Sequence, residues 1–260
     1  MMKLGGSVRT ASFHLESLAM ASPSIPTALA VGVGLTAVGG TLAWAALSPG
    51  SQIFGKTLIA PATPNEFALT FDDGPNPGVT PRLLEVLASA KVQATFFVIG
   101  GFAQQCPALV REIAAAGHLV GNHTLTHPWL AWQTEKRIRE ELGSTNRILE
   151  DMLGQRVHYF RAPHGARRPL VLRVARELGM VSVQWNAMGY DWRAISADAI
   201  ASHVEDGMER NRRIGRGSNI LLHDGGHTGL GASRHETVGA VKRLIQRHRD
   251  AKFIRIDAWG

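Results

Sequence analysis

EFALTFDDGP, from Glu66 to Pro75, is the stretch on which the fold turns. Its first six residues form a short apolar, β-rich run, and its last four set two adjacent carboxylates against the turn formers Gly74 and Pro75. Similar runs recur downstream: ATFFVI (Ala94 to Ile99), HLVGN (His118 to Asn122), VHYFR (Val157 to Arg161), MVSVQW (Met180 to Trp185), SNILLH (Ser218 to His223) and KFIRI (Lys252 to Ile256). Between them apolar residues fall at helical spacing, as in Leu83, Leu84 and Leu87, or Ile138, Leu142 and Leu149. Thr80 before Pro81 reads as an N-cap and first-turn pair, Pro107 as a second helix start, and Gly117, Gly154 and Gly179 as helix stops. Seven strands alternating with six helices predict parallel βα units closed into a barrel or barrel-like sheet, with an open doubly wound sheet as the alternative.

Composition agrees with a folded protein with room for one good-sized core. The 260 residues are 45% hydrophobic, and 28 Lys plus Arg stand against 21 Asp plus Glu, a formal net charge of +7. Cys106 is the single cysteine, which excludes an intramolecular disulfide framework and any Cys-rich zinc cluster. The densest basic run, Arg210 to Arg216, lacks interleaved aromatics, so no nucleic-acid partner is expected.

Ser17 to Gly55 carries no charged residue, and its centre, Ile25 to Leu47, exceeds the roughly 20 apolar residues that cross a bilayer. An uncleaved membrane anchor is the first expectation and a cleaved signal segment the second. Lys3 and Arg9 ahead of it place the amino terminus in the cytoplasm and the remainder outside. The organisation expected is a tail over 1–24, the apolar segment over 25–47, a linker over 48–65 and one globular domain over 66–260.

In parallel βα folds, reactive groups gather where strands end. Here those ends carry Asp72 and Asp73, His123 and His127, Arg161, Asp191 and Trp192, and His223. Each alone has a plain reading as turn, cap or core residue; together they put three carboxylates, three imidazoles and a guanidinium on one face. The i, i+4 spacing of His123 and His127 suits chelation from one side of a helical turn. Two imidazoles and one carboxylate make a three-ligand site for metal-assisted hydrolysis, zinc first, with cobalt, manganese or iron as alternatives. The remaining carboxylate of the Asp72–Asp73 pair would be a base held by Arg161, and His223 the complementary acid.

TFDDGP (Thr70 to Pro75), HTLTH (His123 to His127), RAPHG (Arg161 to Gly165), DW (Asp191 and Trp192) and LLHDG (Leu221 to Gly225) together resemble, in order, the five motifs of the polysaccharide deacetylases, the family 4 carbohydrate esterases with the NodB homology domain. The resemblance implies an enzyme that removes N-acetyl groups from an amino-sugar polysaccharide, peptidoglycan or chitin-like, on a distorted, incomplete (β/α)7 barrel. It implies Asp73, His123 and His127 as metal ligands, Asp72 as general base, Arg161 as its positioning partner, and His223 as general acid tuned by Asp191. Trp192 and Leu222 would wall the acetyl pocket, and the backbone N–H of His164 would face the oxyanion. His164 departs from the aromatic usual in the family. Three rivals stand beside this: a non-haem iron oxygenase, a sugar-binding module without catalysis, and a deformylase or amidase on lipid-linked sugars.

Overall fold

The structure, a computed structural model, describes residues 40–260. Most of the Ile25–Leu47 segment lies outside them, and among the described residues no helix is long and apolar enough to cross a membrane.

The strands are β1 (Glu66–Gly74), β2 (Thr95–Val98), β3 (Leu119–Asn122), β4 (Tyr159–Phe160), β5 (Val181–Ser182), β6 (Ala187–Met188), β7 (Ser218–His223) and β8 (Lys252–Phe253). All pair in parallel in one sheet, in the order β5-β4-β3-β2-β1-β7-β6, with β8 against the start of β1. That is the cyclic order of a barrel broken between β5 and β6, so the incomplete (β/α)7 barrel is the fold and the doubly wound alternative is excluded. Of the predicted fifth strand, Met180 to Trp185, only Val181–Ser182 pairs with β4; the chain then crosses the gap, and β6, beyond the predicted run, pairs with β7. Leu58 forms a parallel bridge to Val183 within that crossing. The predicted seventh strand keeps only two residues and sits outside the barrel order.

The helices are α1 (Thr80–Ala90), α2 (Gly100–Gln105), α3 (Pro107–Ala115), α4 (Glu135–Leu153), α5 (Pro169–Glu177), α6 (Ala197–Arg213) and α7 (His235–Arg247). The short α2 escaped the sequence reading; Pro107 separates it from α3. Strand parity sorts the side chains. Phe67, Leu69 and Phe71 of β1 join the main apolar core with Leu83 and Leu87 of α1 and Val241 and Leu244 of α7. Ala68 joins a small inner cluster, and Thr70 bonds Arg161. Thr80 is not the N-cap of α1: that position is Val79, and the Thr80 hydroxyl instead accepts from the Asn76 N–H and donates to the buried Asp224 carboxylate.

Candidate active site and metal centre

The last turn of β1 separates the two neighbouring carboxylates. A register shift between Asp72 and Gly74 marks a bulge, and Asp73 takes a left-handed φ of 70°. Asp72 thereby stays on the barrel side while Asp73 turns toward the strand ends. Two glycines allow the close packing this needs: a Cβ on Gly225 would lie 2.0 Å from the Asp73 carbonyl oxygen, and one on Gly74 would lie 2.4 Å from the Asp224 carboxylate.

Inside the barrel Arg161, fully buried, donates through Nη1 to Asp72 Oδ1 at 2.8 Å and to Thr70 Oγ1 at 2.7 Å. Its guanidinium lies 4.3 Å from the Phe97 ring centroid. An ionised Asp72 is thus paired and held by a cation with no freedom to move away.

His123 and His127 converge, but not from a helix. They lie in a loop after β3 in which Thr124 and His127 are left-handed, with φ of 69° and 59°. Asn122 Oδ1 accepts from the Thr124 N–H, and Thr124 Oγ1 accepts from the His127 N–H. Glu141, buried on α4, accepts from the N–H groups of Leu125 and Thr126, both at 2.8 Å, and pairs with Arg137 at 2.6 Å. Nothing in the i, i+4 spacing signals this clamp.

His123 Nδ1 lies 2.9 Å from the Arg161 carbonyl oxygen, which can only accept, so the ring proton sits there and Nε2 offers a lone pair. Asp73 Oδ1 is 3.3 Å from that Nε2 and 3.1 Å from His127 Nε2, and it makes no hydrogen bond. On β7, where it is the register partner of Asp72, His223 meets Asp191 Oδ1 through Nδ1 at 2.8 Å, leaving Nε2 for the cavity. Asp191 Oδ2 accepts from the His223 N–H at 2.7 Å and the Thr237 hydroxyl at 2.8 Å.

Asp72, Asp73, His123, His127 and His223 line a cavity of about 390 Å³, together with His164, Trp185, Trp192, Leu221, His227 and Arg234. Leu222 is not among them. It is fully buried in the main core, because on β7 the residues sharing a face with His223 are Leu221 and Asn219. Trp192 stands edge-on to His223 at 5.5 Å, and His164 stacks on Trp129 at 4.0 Å. The His164 N–H has no acceptor among the described residues, whereas those of Gly165 and Ala166 turn back to Ala162 and Pro163. His227, stacked on His127 at 4.4 Å, and Arg234 were missed by the sequence reading. Both sit in a Gly-rich loop after β7 that has no periodicity to reveal them. A larger hollow of about 870 Å³ between α1 and α7 contains no histidine.

The family model described as polysaccharide deacetylase matches residues 60–183. A chitooligosaccharide deacetylase of Sinorhizobium fredii is 39% identical over 192 residues, covering 72% of this chain and 86% of that protein. The chain belongs to the polysaccharide deacetylase family. A peptidoglycan-N-acetylglucosamine deacetylase of Bacillus cereus is 38% identical over 210 residues, 78% of this chain and 71% of that protein. A crystal structure of a peptidoglycan N-acetylglucosamine deacetylase superposes with a TM-score of 0.70 at 32% identity, covering 78% of this chain and 92% of that one.

In this polysaccharide deacetylase the charges around the cavity are set by their neighbours. Burial opposes the Asp73 charge, yet the two imidazoles beside it hold its carboxyl well below the usual carboxylate range. Burial pushes His127 down, keeping it a neutral ligand-type imidazole, and takes His164 down to about 4, with His127 and His227 adding to the effect. Burial also opposes a charged His223, but Asp191 outweighs it and lifts the ring to about 9. Asp73, His123 and His127 have ligating atoms within 4.8 Å of one another, all buried. A buried carboxylate oxygen without a hydrogen bond, beside two imidazole nitrogens, is a donor set that suits a divalent metal, so the residues fit one.

Proposed function

We propose that this chain hydrolyses the N-acetyl groups of N-acetylglucosamine units in a polysaccharide, peptidoglycan or a chitin-like oligomer. The observation carrying this reading is that Asp72, bonded to Arg161, and His223, bonded to Asp191, line the same cavity as three converging ligand atoms. Asp73, His123 and His127 would hold a divalent cation, zinc by preference, which when bound would supply Lewis acidity and make a nucleophilic water available near neutral pH.

The chain's own groups do the rest. Asp72, held in place by Arg161, takes a proton from the attacking water as that water adds to the acetyl carbonyl carbon. The His164 N–H donates to the oxygen that gains negative charge. His223, protonated at Nε2, gives its proton to the amide nitrogen as the C–N bond breaks, releasing acetate and a free amino sugar. Asp191 fixes the ring so that Nε2 faces the cavity. Trp192 and Leu221 bound the space for the acetyl methyl, Leu221 taking the place expected of Leu222.

The same reading puts the catalytic unit outside the cytoplasm, anchored or released through the Ile25–Leu47 segment, where peptidoglycan is the substrate at hand. Acetate release is measured on peptidoglycan and N-acetylglucosamine oligomers, and formate release on a formylated lipid-linked sugar. Turnover of either of the first two is expected. Release from the formylated sugar alone overturns the assignment.

A further inference from the structure

The cavity does not end at His164. The imidazole of His164 lies parallel to the Trp129 indole, with centroids 4.0 Å apart and 16° between planes. Trp129 is the residue before a 3₁₀ turn, Leu130–Trp132, and the Trp132 N–H returns to the Trp129 carbonyl at 3.1 Å. Trp129 and Trp132 are thus the two ends of one tight turn closed by that bond. Leu130 between them is fully buried with Ile138, Leu142 and Phe160, which fixes the turn to the core. The indoles are left outside: Trp129 is 45% exposed and Trp132 82%. A tryptophan that exposed, tied to a rigid turn and continuous with a reaction cavity, has no packing role that accounts for it.

We propose that the aromatic face from His164 through Trp129 to Trp132 is a platform for the sugar units adjoining the one that is deacetylated. It rests on the deacetylase reading. Pyranose rings offer apolar C–H faces that lie flat on indoles, and rigid aromatic area gives affinity at little cost in side-chain entropy. The platform leads away from the reacting carbon, so its contribution grows with oligomer length and enters through KM.

The test uses the metal-loaded full chain and N-acetylglucosamine oligomers from dimer to hexamer. In Trp132→Ala the hexamer-to-dimer ratio of kcat/KM falls about tenfold through KM, the loss expected for one stacked aromatic, and Trp132→Phe restores most of it. A ratio unchanged in Trp132→Ala overturns the platform. Binding is read separately from turnover by tryptophan fluorescence in Asp72→Asn with and without Trp132→Ala. Should the wild-type chain deacetylate neither an oligomer nor peptidoglycan, the deacetylase reading fails. Even then, a saturable fluorescence change on adding hexamer that is lost in Trp132→Ala supports the platform, and no change overturns it.

Discussion

Asp191 holds His223 twice, accepting from the ring at 2.8 Å and from the backbone N–H at 2.7 Å. One carboxylate therefore fixes both the orientation of the imidazole and the strand end that carries it. Burial alone would lower the ring's proton affinity; the Asp191 charge and its bond to the ring, with Asp73 and Asp72 adding, are why it stands at about 9 instead of 6.5.

The consequence for catalysis is a limb at alkaline pH. A protonated His223 serves as acid below about 9, and kcat/KM falls as pH rises through that value. Asp191→Asn moves the limb down toward 6.5 and lowers kcat. The pair's contribution to stability has the same sign: the folded-state value lies above the unfolded one, so it is fully present below about 6.5 and lost as pH rises through about 9. A kcat/KM profile and thermal unfolding across that window check both; a limb that stays in place in Asp191→Asn contradicts the assignment.

Arg161→Met removes the cation from a buried pair and leaves Asp72 uncompensated. Breaking such a pair costs about 3–5 kcal/mol. Denaturant unfolding is expected to show a loss of that order, with turnover falling as well. A fully stable variant would mean that Asp72 does not depend on Arg161 for its charge.

Glu141 touches no reacting group, yet it ties down the loop that presents His127. Glu141→Gln is expected to weaken zinc binding by roughly 10–100-fold, the usual effect of losing a partner that orients metal ligands. Competition with a chromophoric chelator measures this, and circular dichroism checks that the fold survives.

The two adjacent leucines of β7 separate packing from substrate contact. Leu222→Ala opens the core and is expected to cost about 2–5 kcal/mol of stability. Leu221→Ala lines the cavity and should chiefly change KM and the tolerated acyl size, measured with acetyl and propionyl substrates. Reversal of the two effects would invert the assigned strand face.

The sequence was most legible where side chains follow a period. EFALTF and SNILLH read as strands because alternate residues face apolar helices, and the strand ends pointed to Asp72, Asp73, His123, His127 and His223. Legibility failed where backbone geometry does the placing. The i, i+4 spacing of the two histidines suggested a helical turn, but left-handed Thr124 and His127 bring them together. The LLHDG motif drew attention to Leu222, while strand parity turns Leu221 to the cavity. His227, Arg234 and the Trp129–Trp132 turn lie in connections where neither periodicity nor spacing foretells what a side chain will face.

The most direct measurement is acetate release from an N-acetylglucosamine oligomer by chelator-stripped protein titrated with zinc. Activity is expected to be absent in the stripped protein and to return in proportion to zinc up to one ion per chain. Asp73→Ala should bind and respond far more weakly, and Asp72→Asn should bind zinc without turning over. Stripped protein that works as well as the loaded form would contradict a metal centre built on Asp73, His123 and His127.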